Sequence, residues 1–521
     1  MTPSRKLPVG VQDFEDLRVN GYLYADKTAY VYRLASSGKP YFLGRPRRFG
    51  KSLFLSTLKA YFQGKKELFE GLAIAGLEKE WIEYPVVYVD FTLGDVARVD
   101  RLEGTLHLNL ERTEKQLGIN LEGETDPAKR FSKLIEQARE KTGRKVVVLV
   151  DEYDKPLLAT MDNPALNDEI RTVLKAFYGV LKGSDANLRF AFLTGVTKFS
   201  KVSIFSDLNQ LQDISMNKQF AGICGISESE LVDNFQPELQ ALAEGTGKTY
   251  EETLAEMKKR YDGYHFAKES EDIYNPFSVL NTFARLDFGN YWFETGTPTF
   301  LIKMLQAVDF DVPQLENDVQ IPANAIMDYR VDNPDPVPVL YQSGYLTIKS
   351  YDALLDEYTL GLPNEEVKYG FFRELLMVYM PGKNINREFF AGSFTRDLWA
   401  HDVNGFMTRL KAFFSGIPYE LNNKQEKHYQ TVFYALFTLI GQFIQVEYRT
   451  ATGRADAVVQ TSDAVFVFEF KMEANATAED ALRQIDERGY LAPFAASGKQ
   501  LVKIGVEFGG EERGVKRWVV A

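Results

Sequence analysis

Five consecutive apolar residues, Val146-Val147-Val148-Leu149-Val150, run straight into Asp151-Glu152. A β-branched run of this length, bounded by charge, fits a strand buried on both faces, and such strands belong to parallel sheets covered by helices. Further short apolar runs at residues 41–43, 86–91 and 189–193 each pass into a turn or a helix signal. That alternation over residues 1–215 predicts an α/β domain with a mostly parallel sheet. Acids at the C-terminal end of a central strand fall where open sheets of this kind hold ligands.

About 100 residues upstream, Gly50-Lys51-Ser52 follows one of these strands and opens a helix with apolar positions Leu53, Leu55, Leu58 and Phe62. Main-chain N–H groups at such a helix start can surround phosphate oxygens. Lys51 would reach the β- and γ-phosphates of ATP, and the Ser52 hydroxyl would ligate Mg²⁺. Asp151 would complete the Mg²⁺ shell and Glu152 would orient and deprotonate the attacking water. The spacing departs from the usual phosphate-loop pattern, because position 45 is Arg45 and the glycine is Gly44. Thr194 or Thr197, after the 189–193 run, could sense the γ-phosphate; a polar turn reads equally well. Arg45, Arg47 and Arg48 are candidates for contact with phosphates or a partner subunit, with solvated loop positions as the alternative.

A second constellation lies near the other end. Asp456 enters one apolar run, and Val465-Phe466-Val467-Phe468 leads into Glu469-Phe470-Lys471. Residues i and i+2 of a strand share a face, so Glu469 and Lys471 point one way and Phe470 the other. A hairpin partner would bring Asp456 alongside. Two carboxylates would bind one or two Mg²⁺ or Mn²⁺ ions through oxygen. The metal would activate water and stabilise charge on a scissile phosphate, with Lys471 neutralising what develops. Glu426 in the preceding helix and Gln484 in the following one are further candidates, Glu426 for the metal and Gln484 for bound water or a nucleic-acid backbone. Tyr490, six residues beyond Gln484, reads as off that helix face. The alternative is a Glu469–Lys471 surface ion pair.

Between these ends, residues 216–382 read as mainly helical. Capping boxes are expected at Ser227–Glu230 and Thr249–Glu252, and a small strand element follows at 345–348. Residues 383–521 read as helix, three strands, helix, strand. The 521-residue chain is 45% apolar, enough for several buried cores. Its single cysteine, Cys224, excludes an intrachain disulfide. A formal charge of −12 disfavours a general nucleic-acid coat, but residues 401–521 carry 14 Lys+Arg against 15 Asp+Glu, so the acidic excess lies upstream. No signal peptide or 18-residue apolar stretch is evident, and the expectation is a cytoplasmic protein with no membrane partner.

Residues 45–53, Tyr24-Ala25-Asp26-Lys27-Thr28, Val150-Asp151-Glu152-Tyr153-Asp154 and Tyr274-Asn275-Pro276-Phe277 together resemble the bacterial AAA-ATPase-like family. Gly453-Arg454-Ala455-Asp456, Phe468-Glu469-Phe470-Lys471 and the Gln484 helix are similar to the PD-(D/E)xK nuclease domain fused behind it. The resemblance implies an ASCE-type P-loop fold in front and a restriction-endonuclease-like fold behind. It also implies that arginine at the first glycine position is ordinary for the family. The expected proline before the first nuclease aspartate is Ala455 here. An ATP-binding, metal-dependent nuclease acting on DNA is the leading expectation. A nucleotide-dependent switch with a non-catalytic nuclease-type module, or an RNA-directed nuclease, stays open, and a homo-oligomer is consistent with the class.

Overall fold

The computed structural model describes residues 5–38, 40–198, 211–293, 299–308, 310–316, 319–327, 335–379, 389–415, 426–441, 445–447, 456–509 and 514–521. The chain divides into two compact units, Met1–Gly296 with Gln314–Val367, and Thr297–Pro313 with Lys368–Ala521.

The first unit is built on β1 (Tyr41–Gly44), β2 (Val86–Asp90), β3 (Val146–Asp151), β4 (Leu188–Gly195) and β5 (Gln212–Asp213). Their order is β2-β3-β4-β1-β5, with every pairing parallel. Strand β4 therefore lies between the strand feeding the glycine loop and the strand ending in Asp151. This is the ASCE arrangement. All six residues of β3 are buried, as expected of a central strand with helices on both faces. The register aligns Asp90 with Asp151 and Gly44 with Gly195, so these strand ends emerge along one edge of the sheet.

Beyond β5 this unit is mainly helical. Ser227 and Thr249 cap the helices Glu228–Thr246 and Tyr250–Tyr261, each in a reciprocal capping box with the glutamate three residues on. Strands β6 (Ile226–Ser227) and β7 (Ile273–Tyr274) form a small antiparallel pair. Strands β8 (Val319–Pro322), β9 (Thr347–Asp352) and β10 (Glu357–Gly361) form a sheet in the order β8-β10-β9.

In the second unit, β11 (Gln445–Glu447), β12 (Ala457–Gln460), β13 (Ala464–Met472), β14 (Gln500–Gly509) and β15 (Gly514–Val520) pair in sequence order. All pairs are antiparallel except β13–β14, which is parallel and joined through the helix Ala478–Glu487. The period of two along β13 sorts its side chains. Phe468 and Phe470 pack on Phe406, Phe437 and Phe433 of the helices Val403–Ser415 and Glu426–Ile440. Val465 and Val467 pack with Ile485 and Tyr490 on the opposite face. Glu469 and Lys471 continue that second stripe.

No helix among the described residues is long and apolar enough to cross a membrane.

A phosphate-type loop and a carboxylate cluster as candidate sites

Strand β1 leads through residues 45–50 into the helix Lys51–Phe62. Gly50 takes the N-cap position at φ +92°, a conformation that suits glycine, and no side chain caps the helix. Its first N–H groups and positive dipole end thus face the C-terminal edge of the sheet. Lys51 is buried, donates to the carbonyls of Arg45 (3.0 Å) and Pro46 (3.1 Å), and lies 3.7 Å from Glu152 Oε1. The register of β3 beside β4 lets the Thr194 hydroxyl donate to Asp151 Oδ1 at 2.7 Å, and Ser52 bonds the same carboxyl. Burial nevertheless holds the Asp151 carboxyl above the usual carboxylate range. Hard oxygens of Ser52 and Asp151 side by side, next to an uncapped helix start, are a donor set that fits Mg²⁺ with a nucleotide phosphate. Glu152 follows at φ +54°, a sparsely populated conformation for a residue with a side chain, and its carboxylate stays partly accessible beside Lys51.

The arginines separate. Arg45 is 2% exposed, and its guanidinium donates to the carbonyls of Gly44, Ser215, Phe220 and Ala221 while lying 4.1 Å over the Phe266 ring. It therefore braces the base of the loop, and the expectation that it contacts phosphate is corrected. Arg47 and Arg48 are exposed, with Arg48 at φ +68° and its guanidinium 4.6 Å over Phe277. The main chain between them is held in turn. Trp292 Nε1 donates to the Arg47 carbonyl at 3.2 Å, and Phe49 sits edge-on against Tyr264 and Phe266.

Asp154 carries a role the sequence reading did not assign. It is fully buried, and its Oδ2 accepts from the main-chain N–H groups of Val196 (2.9 Å) and Thr197 (2.6 Å). Its Oδ1 has no partner. Burial, with the nearby Glu152 charge, pushes its carboxyl up to about 7. The signal was in the sequence: an acid three residues past a strand end, in a motif whose first two acids were already in use.

In the second unit, Asp456 stands one residue before β12, which pairs Ala457 with Phe468. Asp456 Oδ2 accepts from the Phe470 N–H at 2.8 Å, which fixes it next to Glu469. Lys471 Nζ lies 3.1 Å from Glu469 Oε1 and donates to Gln484 Oε1 at 2.7 Å. Gln484 Nε2 donates back to Glu469 Oε1 and lies 3.4 Å from the Tyr490 hydroxyl. Glu469 is only 3% exposed, so this is no surface ion pair. Its Oε2 is buried without a partner, and burial followed by the Asp456 charge pushes its carboxyl up to about 7. A carboxylate in that position is uncompensated, and a cation is what would relieve it. Two carboxylates with remaining positions taken by water or substrate are enough for Mg²⁺. Among the described residues no group of three or more His, Cys, Asp or Glu side chains gathers as a metal cluster.

The helix carrying Gln484 ends at Glu487, and Gly489 at φ +62° turns the chain back, so Tyr490 joins the cluster rather than lying off it. Glu426 opens the helix Glu426–Ile440, but its side chain lies outside the described residues.

The parallel sheet with its glycine loop and the sheet carrying this carboxylate–lysine cluster define a P-loop ATPase-like domain and a nuclease-superfamily domain in one chain. Residues 8–205 match the family model described as a predicted AAA-ATPase, and residues 424–518 match that of the PD-(D/E)XK nuclease superfamily. The chain is also 38% identical over 525 residues to the "Uncharacterized protein in vnfD 5'region" of Azotobacter chroococcum mcd 1, covering 99% of both chains. It belongs to the family of AAA-ATPase-like proteins with a C-terminal PD-(D/E)XK nuclease-superfamily domain.

Proposed function

We propose that this protein binds and hydrolyses ATP through its N-terminal domain and cleaves phosphodiester bonds, in DNA, through its C-terminal one. The observation that carries the nuclease half is the meeting of Asp456, Glu469, Lys471 and Gln484 around a buried carboxylate oxygen with no partner.

Asp456 and Glu469 would hold Mg²⁺ or Mn²⁺, which when bound supplies Lewis acidity toward the phosphate and lowers the pKa of water. Glu469, poised near neutrality, can take a proton at Oε2. Lys471 is held by Glu469 and Gln484 at the accessible rim, where its ammonium can offset charge developing on a phosphate. Gln484 keeps both groups in place. In the N-terminal domain the Gly50 helix start and Lys51 would bind phosphates, Ser52 and Asp151 would hold Mg²⁺, Thr194 would orient Asp151, and Glu152 would position water.

The test measures cleavage of plasmid, linear and single-stranded DNA, and of RNA, with Mg²⁺ or Mn²⁺ and with or without ATP. Asp456→Ala is expected to abolish cutting and keep ATP binding; Lys51→Ala is expected to abolish ATP binding. Equal degradation by wild type and Asp456→Ala sinks the nuclease reading. Intact ATP binding with no cleavage of any substrate favours a nucleotide-dependent switch, in which the C-terminal domain only binds.

A further inference from the structure

The mechanism above leaves one feature of the N-terminal unit unused. Beside the glycine loop lies a recess, open to solvent on one side, with about 570 Å³ of empty space. Gly50 and Leu53 of the loop and its helix form one wall. Tyr24 forms a second, and Ile226, Pro276 and Leu280 close the rest. The size is that of a small-molecule site. The recess touches Gly50, the residue that caps the uncapped helix start, so it is continuous with the phosphate-binding edge.

Its chemistry restricts the occupant. Among the described residues, Lys27 is the one charged side chain in its wall. That ammonium is committed elsewhere, to both oxygens of Glu230 at 2.6 Å and the Gly222 carbonyl at 2.8 Å. The remaining walls are apolar or aromatic. A phosphate or carboxylate placed here would lose its hydration without a counter-charge. A flat, neutral heterocycle would lose little and would bury apolar area against Leu53, Ile226 and Leu280. Tyr24 fits the same picture, because its hydroxyl is buried beside Thr57 while its ring is partly accessible.

We infer that the recess receives the base of a nucleoside triphosphate whose phosphates lie at the Gly50 end of the helix. The ligand class is thereby a nucleotide rather than a bare polyphosphate. This rests on the phosphate-binding reading above, and the two can fail separately. Binding of ATP and of inorganic tripolyphosphate, both with Mg²⁺, is measured by calorimetry on the full chain. Wild type is expected to prefer ATP by about tenfold or more, the order of discrimination an apolar pocket gives. Leu280→Trp and Leu23→Trp each fill the recess from a partly exposed position. Both are expected to weaken ATP by about tenfold or more and leave tripolyphosphate unchanged, with unaltered melting temperature. Equal affinities of wild type for the two probes, or wild-type ATP affinity in both folded variants, overturns the base-pocket inference while the phosphate loop stands. Wild type that binds neither probe overturns the loop reading and this inference with it.

Discussion

The carboxylate of Asp456 receives the main-chain N–H of Phe470 at 2.8 Å, across the β12–β13 pair. One hydrogen bond thus pins an acid at the start of one strand against the residue between the acid and the base of the next. Phe470 itself is packed on Phe433 from the other side, so the strand cannot rotate without losing an aromatic contact. The cluster is held by the core beneath it.

Gln484 is expected to act through its two partners. Gln484→Ala removes the amide that joins Lys471 to Glu469. Cleavage should fall by about 10–100-fold, with a higher Mg²⁺ concentration at half-maximal rate, as for residues supporting metal ligands. Lys471→Ala should cost more, about 10²–10⁴-fold, with the Mg²⁺ requirement less affected. Titrating Mg²⁺ against initial rate for both variants separates the two roles.

Stability in metal-free buffer should depend on pH through Glu469. Folding raises its carboxyl from 4.5 to about 7, through burial first and the Asp456 charge second. The folded chain then binds this proton more tightly than the unfolded one. The contribution is fully present below pH 4.5 and is lost as pH rises through about 7. Glu469→Gln carries no such titration. Relative to wild type it should gain up to about 3 kcal/mol between pH 4.5 and 8. Melting curves with a chelator at both pH values check this, and Mg²⁺ should narrow the gap at pH 8.

Arg45 and its neighbours should respond differently to truncation. Arg45→Ala leaves four buried carbonyls without their donor and should destabilise the chain by about 3 kcal/mol or more. Arg47→Ala and Arg48→Ala, at exposed positions, should change stability by less than about 1 kcal/mol. Any loss of nucleotide affinity in these two, at unchanged melting temperature, reports on phosphate contact.

Asp154 and Gly195 form a matched pair. A methyl group on Gly195 would lie 2.5 Å from Asp154 Oδ1 and 2.6 Å from the Tyr153 ring. Gly195→Ala should therefore cost about 1–3 kcal/mol. Asp154→Ala should cost a similar amount, by stranding the Val196 and Thr197 N–H groups. Asp154→Asn keeps an acceptor for them and should recover most of that loss. Denaturant titration of the three variants measures each.

What could be read in advance was whatever depends on local period. The alternation along Val465–Lys471 placed Glu469 and Lys471 on one face, and the capping boxes at Ser227 and Thr249 appeared as expected. The uninterrupted run at 146–150 became the buried strand β3. Contacts made over long sequence distances were not legible. The carbonyls of Ser215, Phe220 and Ala221 that capture Arg45 come 170 or more residues later. Tyr490 was misjudged because helical spacing was carried past Glu487, where the helix has already ended. Asp154 was seen but not used, since its purpose is to receive N–H groups from a loop that only the β3–β4 pairing brings near.

The loop between Arg45 and Gly50 is gripped by a distant part of the chain, through the Trp292 indole on the Arg47 carbonyl and the Tyr264 and Phe266 rings around Phe49. Any guest that prefers this loop conformation must also favour the folded form of the segments that clasp it. Amide hydrogens near Tyr264 and Trp292 would then exchange more slowly with solvent deuterium once the loop is occupied, although they touch no part of the guest.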